Sequence, residues 1–296
     1  MPYRGRLAPT PTGRLHRGHA RTFWLAGARA KAAGPDARMV LRMEDLDFAR
    51  CHPDSGPAIF ADLCWLGLRW DEGPDVGGPH APYAQSQRRE IYLEMWRRLQ
   101  AGGFLYPCTR SRADVRRAAQ APHADEEDAE PIYPAAWRPP PDAGREAKTP
   151  ADLAAHWRFR VPDGETISFH DVIHGPQKFT AGKDFGDFIV WRRDDVPAYE
   201  LAVVADDHEM QINEVVRGAD LLKSTARQLL LYRALGWTPP AWCHAPLVCD
   251  ENGHRLAKRH DAIGIETLRA QGVDPQTWFA AWEKEFAAIL RPLNSA

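Results

Sequence analysis

Cysteine is scarce in this 296-residue chain. There are five, Cys51, Cys64, Cys108, Cys243 and Cys249, an odd number with no C-x-x-C pair. That pattern argues against a disulfide framework and fits reduced thiols in the cytoplasm. No apolar run approaches the ~18 residues of a membrane helix, and the opening MPYRGRLAPT lacks the apolar core of a secretory leader. Neither sign of charge dominates: 38 Lys and Arg stand against 40 Asp and Glu, for a net charge of -2. A chain-wide attraction for nucleic acid is therefore missing, and any RNA contact must come from a local basic face. No internal repeat is visible. With 44% hydrophobic and 26% charged residues the composition is globular, and the length suits one large domain or two modest ones.

The most informative stretch is RLAPTPTGRLHRGHART, Arg6 to Thr22. A short apolar strand runs into a Pro-Thr-Pro-Thr-Gly turn, then His16-Arg17-Gly18-His19 opens a helix. Two imidazoles one turn apart can face a triphosphate, and Gly18 lets the backbone approach closely. Free amides at the helix start would add a positive end for phosphate oxygens.

The remaining pattern alternates strands and helices. Residues 3–8 read as a buried strand and 18–33 as a helix stopped by Gly34-Pro35. Ala37–Met43 is a second strand ending at Glu44, where ligands gather beyond strand ends in an open parallel sheet. Helices are expected near 54–66 and 86–101, the second carrying Tyr92, Met95, Trp96 and Leu99 as core. From 104 to 183 the character changes, and we expect a small inserted subdomain between two halves of a catalytic domain, 1–103 and 184–248. Within it, 119–131 and 139–150 read as mobile surface loops, and WRFRV and ETISF flank Pro162-Asp163-Gly164 as a hairpin. Strands are then expected at 184–193, 198–210 and 212–222, followed by a helix over 221–235 and, within 249–296, helices near 264–271 and 275–291.

Several patches carry chemistry. In RMEDLD, Glu44 could hold an ammonium group. AYELAVVADDHEM places Tyr199 at the start of a strand leading into Asp206-Asp207-His208, and VVRGAD offers Arg217 to a carboxylate. Arg255-Leu256-Ala257-Lys258-Arg259 puts three cations in five residues, suited to stabilising a departing pyrophosphate.

Taken together and in order, these motifs resemble the class I aminoacyl-tRNA synthetases, and within them the glutamyl group. R-x-A-P-T-P-T-G-x-L-H-x-G-H-x-R-T is similar to that group's first ATP signature, and RLAKR to a diverged form of its lysine-rich second one. The resemblance spans roughly 4–262 and implies an α/β Rossmann-type nucleotide-binding domain with a short helical appendix. Only 37 residues follow Arg259, fewer than the anticodon-binding region of a full glutamyl-tRNA synthetase. The chain therefore looks like the truncated paralogue family, the glutamyl-Q tRNA(Asp) synthetases. Val203 fits the same branch, since full-length enzymes usually have Asn four residues after the Tyr.

That resemblance implies a monomeric cytoplasmic ligase. It activates L-glutamate with ATP and Mg2+ without tRNA, then attaches it to queuosine in the anticodon loop of tRNA(Asp). By matching position, Arg6, Leu7, Ala8, Pro9 and Thr10 would line the glutamate site, with Arg6 as a bidentate fork for a carboxylate. Glu44 would take the α-amino group, and Tyr199 and Arg217 would complete the pocket. His16, Gly18, His19, Arg255 and Lys258 would bind ATP, with His16, His19 and Lys258 catalytic. Many members hold zinc in the insertion through three Cys and a Tyr. Here only Cys108 and Tyr133 stand at those places, and adding His123 would still leave a closed site short. No structural zinc is expected, and Trp137 with neighbouring aromatics would pack the insertion instead. Competing readings are a shortened synthetase charging tRNA 3′ ends, a regulatory paralogue without activation (suggested by Ala257), and a small-molecule nucleotidylyltransferase.

Overall fold

A computed structural model describes residues 1–52, 55–119, 131–247 and 264–290. Strand β1 (Arg4–Leu7) and strand β2 (Arg38–Leu41) pair in parallel, Arg6 against Val40 and Leu7 against Leu41. A parallel pair needs a crossover, supplied here by helix α1 (Arg17–Ala33). Its inward face carries Trp24, Leu25, Ala26 and Ala30. On the other side of β1 runs β8 (Glu214–Gly218). The Asn213 N–H donates to the Arg4 carbonyl at 3.0 Å, and Arg6 Nη1 donates to the Val216 carbonyl at 2.6 Å.

A four-stranded sheet continues from β8 to β9 (Ala241–Ala245), then β5 (Thr166–Asp171) and β6 (Gly175–Thr180). The β8–β9 pair is parallel and sets Arg217 beside His244, while β5 meets β9 at one register point, Asp171 against Trp242. A separate antiparallel sheet has the order β3 (Leu105–Cys108), β4 (His156–Phe159), β7 (Phe188–Trp191). The remaining helices are α2 (Ser55–Trp65), α3 (Arg89–Ala101), α4 (Arg112–Ala119), α5 (Tyr199–Glu209), α6 (Leu222–Leu235), α7 (Ile265–Ala270) and α8 (Gln276–Phe286). Tyr92, Met95, Trp96 and Leu99 of α3 are buried as the helical spacing predicts, with Trp96 edge-on to Trp157 at 4.8 Å. Gly236 ends α6 in the left-handed conformation (φ 72°), which a glycine adopts without steric penalty.

Three expectations need correction. Residues 199–209 form helix α5, not a strand: Glu200 to Asp207 are all buried, so the helix has no polar face to betray its period, and the Val203-Val204 run imitates a buried strand. The turn at Pro162–Gly164 does not close a hairpin between its flanks. The strand before it, β4, pairs with β3 and β7, and the strand after it, β5, pairs with β6. The turn carries the chain from one sheet to the other. Finally, residues 139–150 are held rather than loose. The Gln100 side-chain amide of α3 donates to the Gly144 and Ala147 carbonyls, Trp157 Nε1 donates to the Pro150 carbonyl, and Ala147 is buried.

Helix α8 closes over α1 through Trp24, which stacks at a tilt on Trp282 at 5.6 Å and Phe279 at 5.8 Å, and α7 lies against α2, Arg269 to Asp62 at 3.5 Å. Arg29 of α1 is buried against Glu214 of β8, Nε to Oε1 at 2.9 Å, tying the helix to the sheet. None of the described helices is long and apolar enough to cross a membrane.

Candidate active site

The segment between β1 and α1 walls a cleft of about 380 Å³. Ala8, Pro9 and Thr10 line one side, His16, His19 and Phe23 another, and Gly264 closes it. Strand alternation decides which part of RLAPT can serve. Arg4 and Arg6 share one face of β1, and Ala8 follows just beyond its end. Leu7 points the other way, is wholly buried in the core, and gives its carbonyl to the Arg42 N–H, so a place for its side chain in a substrate site is corrected.

His16 is the N-cap of α1. Its Nδ1 accepts from the Gly18 and His19 N–H groups at 3.1 and 3.4 Å. The expectation of free amides at this helix start is therefore corrected: two of them already bond an imidazole. Gly18 lies in the first turn with its amide so engaged. Because Nδ1 accepts, the proton of a neutral His16 ring sits on Nε2. The two rings stack, centroids 3.6 Å apart, and both reach the cleft. The first turn of α1 holds no acidic residue, so nothing in it offsets the positive end of the helix toward an anion.

Beneath Pro9, whose carbonyl accepts the Glu44 N–H at 3.0 Å, lies a buried charge cluster. Its hub is Arg42, fully buried. Nη1 donates to Asp207 at 2.6 Å, Nη2 donates to Glu44 at 2.9 Å, and Nε is 3.6 Å from Asp206. Burial works against the Arg42 charge, but Asp207, Glu44 and Asp206 outweigh it and hold the guanidinium firmly protonated. Glu44, which the sequence offers to an ammonium group, is thus already paired with Arg42. Burial raises its proton affinity, and Arg42 and Arg6 offset part of that rise.

Arg6, also buried, stands 3.7 Å by Nε from Asp207, and with Nη1 given to Val216 the guanidinium is partly committed before any ligand arrives. Tyr199 opens α5 and keeps 37% of its surface exposed. Crowding by protein still pushes its hydroxyl up, with Arg217, Glu44, Glu200 and Arg6 close enough to act on it. Arg217 is buried, with Nε on His244 at 3.1 Å and Nη2 on Thr225 at 2.8 Å.

Several buried polar atoms in this neighbourhood have no hydrogen-bond partner: Arg6 Nε, Arg217 Nη1, Asp207 Oδ2 and the Tyr232 hydroxyl. Asp207, Arg42, Arg217 and Arg6 all act on the Tyr232 hydroxyl, which places these atoms around one interior region. Native proteins rarely leave such groups unpaired, and a concentration of them marks where a polar ligand belongs. Arg255, Ala257 and Lys258 lie outside the described residues, as does His123; Gly264, which follows, meets His16 in an isolated bridge at the cleft.

Residues 3–287 match the family model for class I tRNA synthetases (E and Q), catalytic domain. The chain belongs to that family. It is 50% identical over 273 residues to a protein named glutamyl-Q tRNA(Asp) synthetase from Symbiobacterium thermophilum, covering 92% of this chain and 83% of that one. A protein of the same name from Nitratidesulfovibrio vulgaris is 46% identical, with 91% and 82% covered. The crystal structure of glutamate-tRNA synthetase from Elizabethkingia anophelis superposes with a TM-score of 0.78 at 29% identity, covering 95% of this chain and 61% of that one.

Sequence reasoning missed several residues of this class I synthetase. Arg42 looked like an ordinary arginine of the RMEDLD run, and Asp206-Asp207 were seen without a partner. His244, Asp171 and Thr225 belong to no motif. At the end of β3, Cys108 Sγ and Tyr133 Oη are 3.3 Å apart, and Tyr133 packs edge-on to Trp137 at 5.7 Å. Among the described residues no group of three or more His, Cys, Asp or Glu is arranged to hold a metal ion.

Proposed function

We propose that the chain adenylates L-glutamate with ATP in the absence of tRNA and transfers the glutamyl group to queuosine of tRNA(Asp). The observation that carries the amino-acid half is the buried region around Arg6, Glu44, Tyr199 and Arg217, where opposed charges and unpaired polar atoms converge below Pro9. Such a recess suits a small zwitterion with an extra carboxylate. The cleft above it, walled by His16 and His19 at the start of α1, suits a triphosphate.

In this reading the α-carboxylate oxygen of glutamate attacks the α-phosphorus of ATP. The bond from that phosphorus to the bridging oxygen breaks, pyrophosphate departs, and glutamyl-adenylate remains. A hydroxyl oxygen of the queuosine base then attacks the acyl carbon, the bond from that carbon to the phosphate oxygen breaks, AMP leaves, and the hydroxyl proton passes to solvent. Little covalent help is needed: the protein holds the two reactants in line and balances charge. Arg6 and Arg217 hold carboxylate oxygens, Glu44 orients the ammonium group, and Tyr199 closes the pocket. His16 and His19 act on phosphate oxygens, joined by Arg255 and Lys258. A Mg2+ ion would enter on the nucleotide phosphates, where it neutralises their charge.

The relatives named glutamyl-Q tRNA(Asp) synthetase, at 46–50% identity, support the queuosine half. The test is glutamate-dependent exchange of pyrophosphate into ATP without tRNA, then transfer of labelled glutamate to tRNA(Asp) with and without queuosine. Nucleoside analysis showing glutamyl-queuosine is the expected result. Labelling at the 3′ end of tRNA(Glu) would overturn the queuosine half, and absence of exchange would overturn activation.

A further inference from the structure

Arg217 Nε can only donate a hydrogen bond, so the His244 Nε2 it faces at 3.1 Å must be a lone pair. The imidazole proton therefore sits on Nδ1, which faces Asp171 Oδ2 at 2.6 Å. Asp171 is fixed in turn: Oδ1 accepts the N–H groups of Ile173 and His174 at 3.0 and 2.9 Å, and Oδ2 also accepts the His244 N–H at 3.0 Å. Carboxylate, imidazole and guanidinium form a chain crossing β5, β9 and β8, with Asp171 at the single register point where β5 meets β9. Asp171 and His244 are wholly buried, and His244 reaches neither the cleft lining nor water.

The chain fixes the Arg217 side chain. Nε is held by His244 and Nη2 by Thr225, while the guanidinium plane lies over Trp242 at 4.9 Å. Nη1 is left as the only guanidinium nitrogen with no hydrogen-bond partner, in a residue 4% exposed. We infer that His244 and Asp171 are positioning residues for glutamate: they lock Arg217 so that Nη1 alone is presented, desolvated and aimed, to a substrate carboxylate. This rests on the reading of Arg217 as a glutamate-binding residue. Burial lowers the proton affinity of His244, with Arg217 acting in the same sense and Asp171 opposing. The neutral ring this geometry requires is thus favoured.

The test compares Arg217→Ala, His244→Phe and His244→Gln by pyrophosphate exchange, measuring KM separately for glutamate and ATP. Gln offers a carbonyl near the place of Nε2; Phe keeps the ring and offers nothing. His244→Phe is expected to raise the glutamate KM by about 10- to 100-fold, the scale of a lost charged hydrogen bond, with the ATP KM within about twofold. His244→Gln should recover most of that loss. Equal rises in both KM values, no rise in either, or a Gln variant as poor as Phe would overturn the positioning role. Should His244→Phe fail to fold, Thr225→Val removes the acceptor at Nη2, and the same selective rise, smaller, is expected; an unchanged glutamate KM there would overturn the lock. Arg217→Ala separates the two levels: a normal glutamate KM in that variant overturns the glutamate-site reading itself, whereas a raised one beside a normal His244→Phe overturns only the positioning.

Discussion

Arg42 and Glu44 are two residues apart in sequence and joined by a 2.9 Å hydrogen bond in the interior, Nη2 to Oε1. The same guanidinium bonds Asp207 from α5, so one buried cation holds a strand end against a helix. Breaking a buried pair from one side leaves charge without compensation. Arg42→Met should therefore destabilise the protein by about 3–5 kcal/mol, since Glu44 and Asp207 lose their main partner. Asp206 keeps Arg88, Gln85 and Tyr92 and suffers less. Urea denaturation measures the loss; a change below about 1 kcal/mol would mean the carboxylates are served by water instead.

A second prediction concerns pH. Asp62 of α2 is buried, and its Oδ1 has no hydrogen-bond partner although Arg269 of α7 stands 3.5 Å away. Burial pushes its pKa up to about 6, more than Arg269 and Arg14 pull it back. The folded state then holds a proton, between its ordinary carboxylate range and pH 6, that the unfolded chain has released. Stability from this group is present at low pH and lost as pH rises through 6. Asp62→Asn should raise stability by roughly 1–3 kcal/mol at pH 8, with the gain shrinking below pH 6. Melting temperatures of both proteins across pH 5–8 check it; a gain that does not vary with pH would defeat the assignment.

Much of this was legible in the sequence because it was local. Glu44 ends an apolar run, and H-x-G-H follows a strand and a proline turn, so strand, turn and helix could be placed together. Partners were not legible. Arg42 gains its role only when α5 delivers Asp206 and Asp207, and α5 was itself hidden because every residue from 200 to 207 is buried. A helix buried all round over that stretch shows no amphipathic period to detect. His244 was invisible for a related reason: its neighbours Arg217, Asp171 and Thr225 lie 27, 73 and 19 residues away, and only the sheet register unites them. Leu7 shows the opposite error, a motif carried over residue by residue where strand alternation turns one side chain into the core.

A third prediction concerns metal. Cys108 and Tyr133 bond each other at 3.3 Å, and Tyr133 also donates to the Trp137 carbonyl at 3.3 Å. Arg158 lies over the Tyr133 ring at 4.3 Å, a cation that disfavours a second positive charge there. This small aromatic core should stand without zinc. Purified protein is expected to contain far less than one zinc per chain, and a chelator should leave its melting temperature unchanged. Stoichiometric zinc that disappears in Cys108→Ser would overturn this.

The last prediction separates two jobs of His16. Its Nδ1 caps α1, and its ring, stacked on His19, walls the cleft. An alanine would remove both and leave the roles confounded. Asparagine is among the strongest N-cap residues, and its side-chain oxygen can accept from the same amides. His16→Asn should keep stability within about 1 kcal/mol of the parent, the size of a cap. It should nevertheless slow adenylation by about 100-fold or more, since a missing donor to charge that grows on the phosphates costs that much. His19→Asn, which disturbs no cap bond accepted by a side chain, should lose activity similarly. If His16→Asn retained full exchange activity, His16 would be a structural cap alone, and the phosphate-binding reading of this pair would rest on His19.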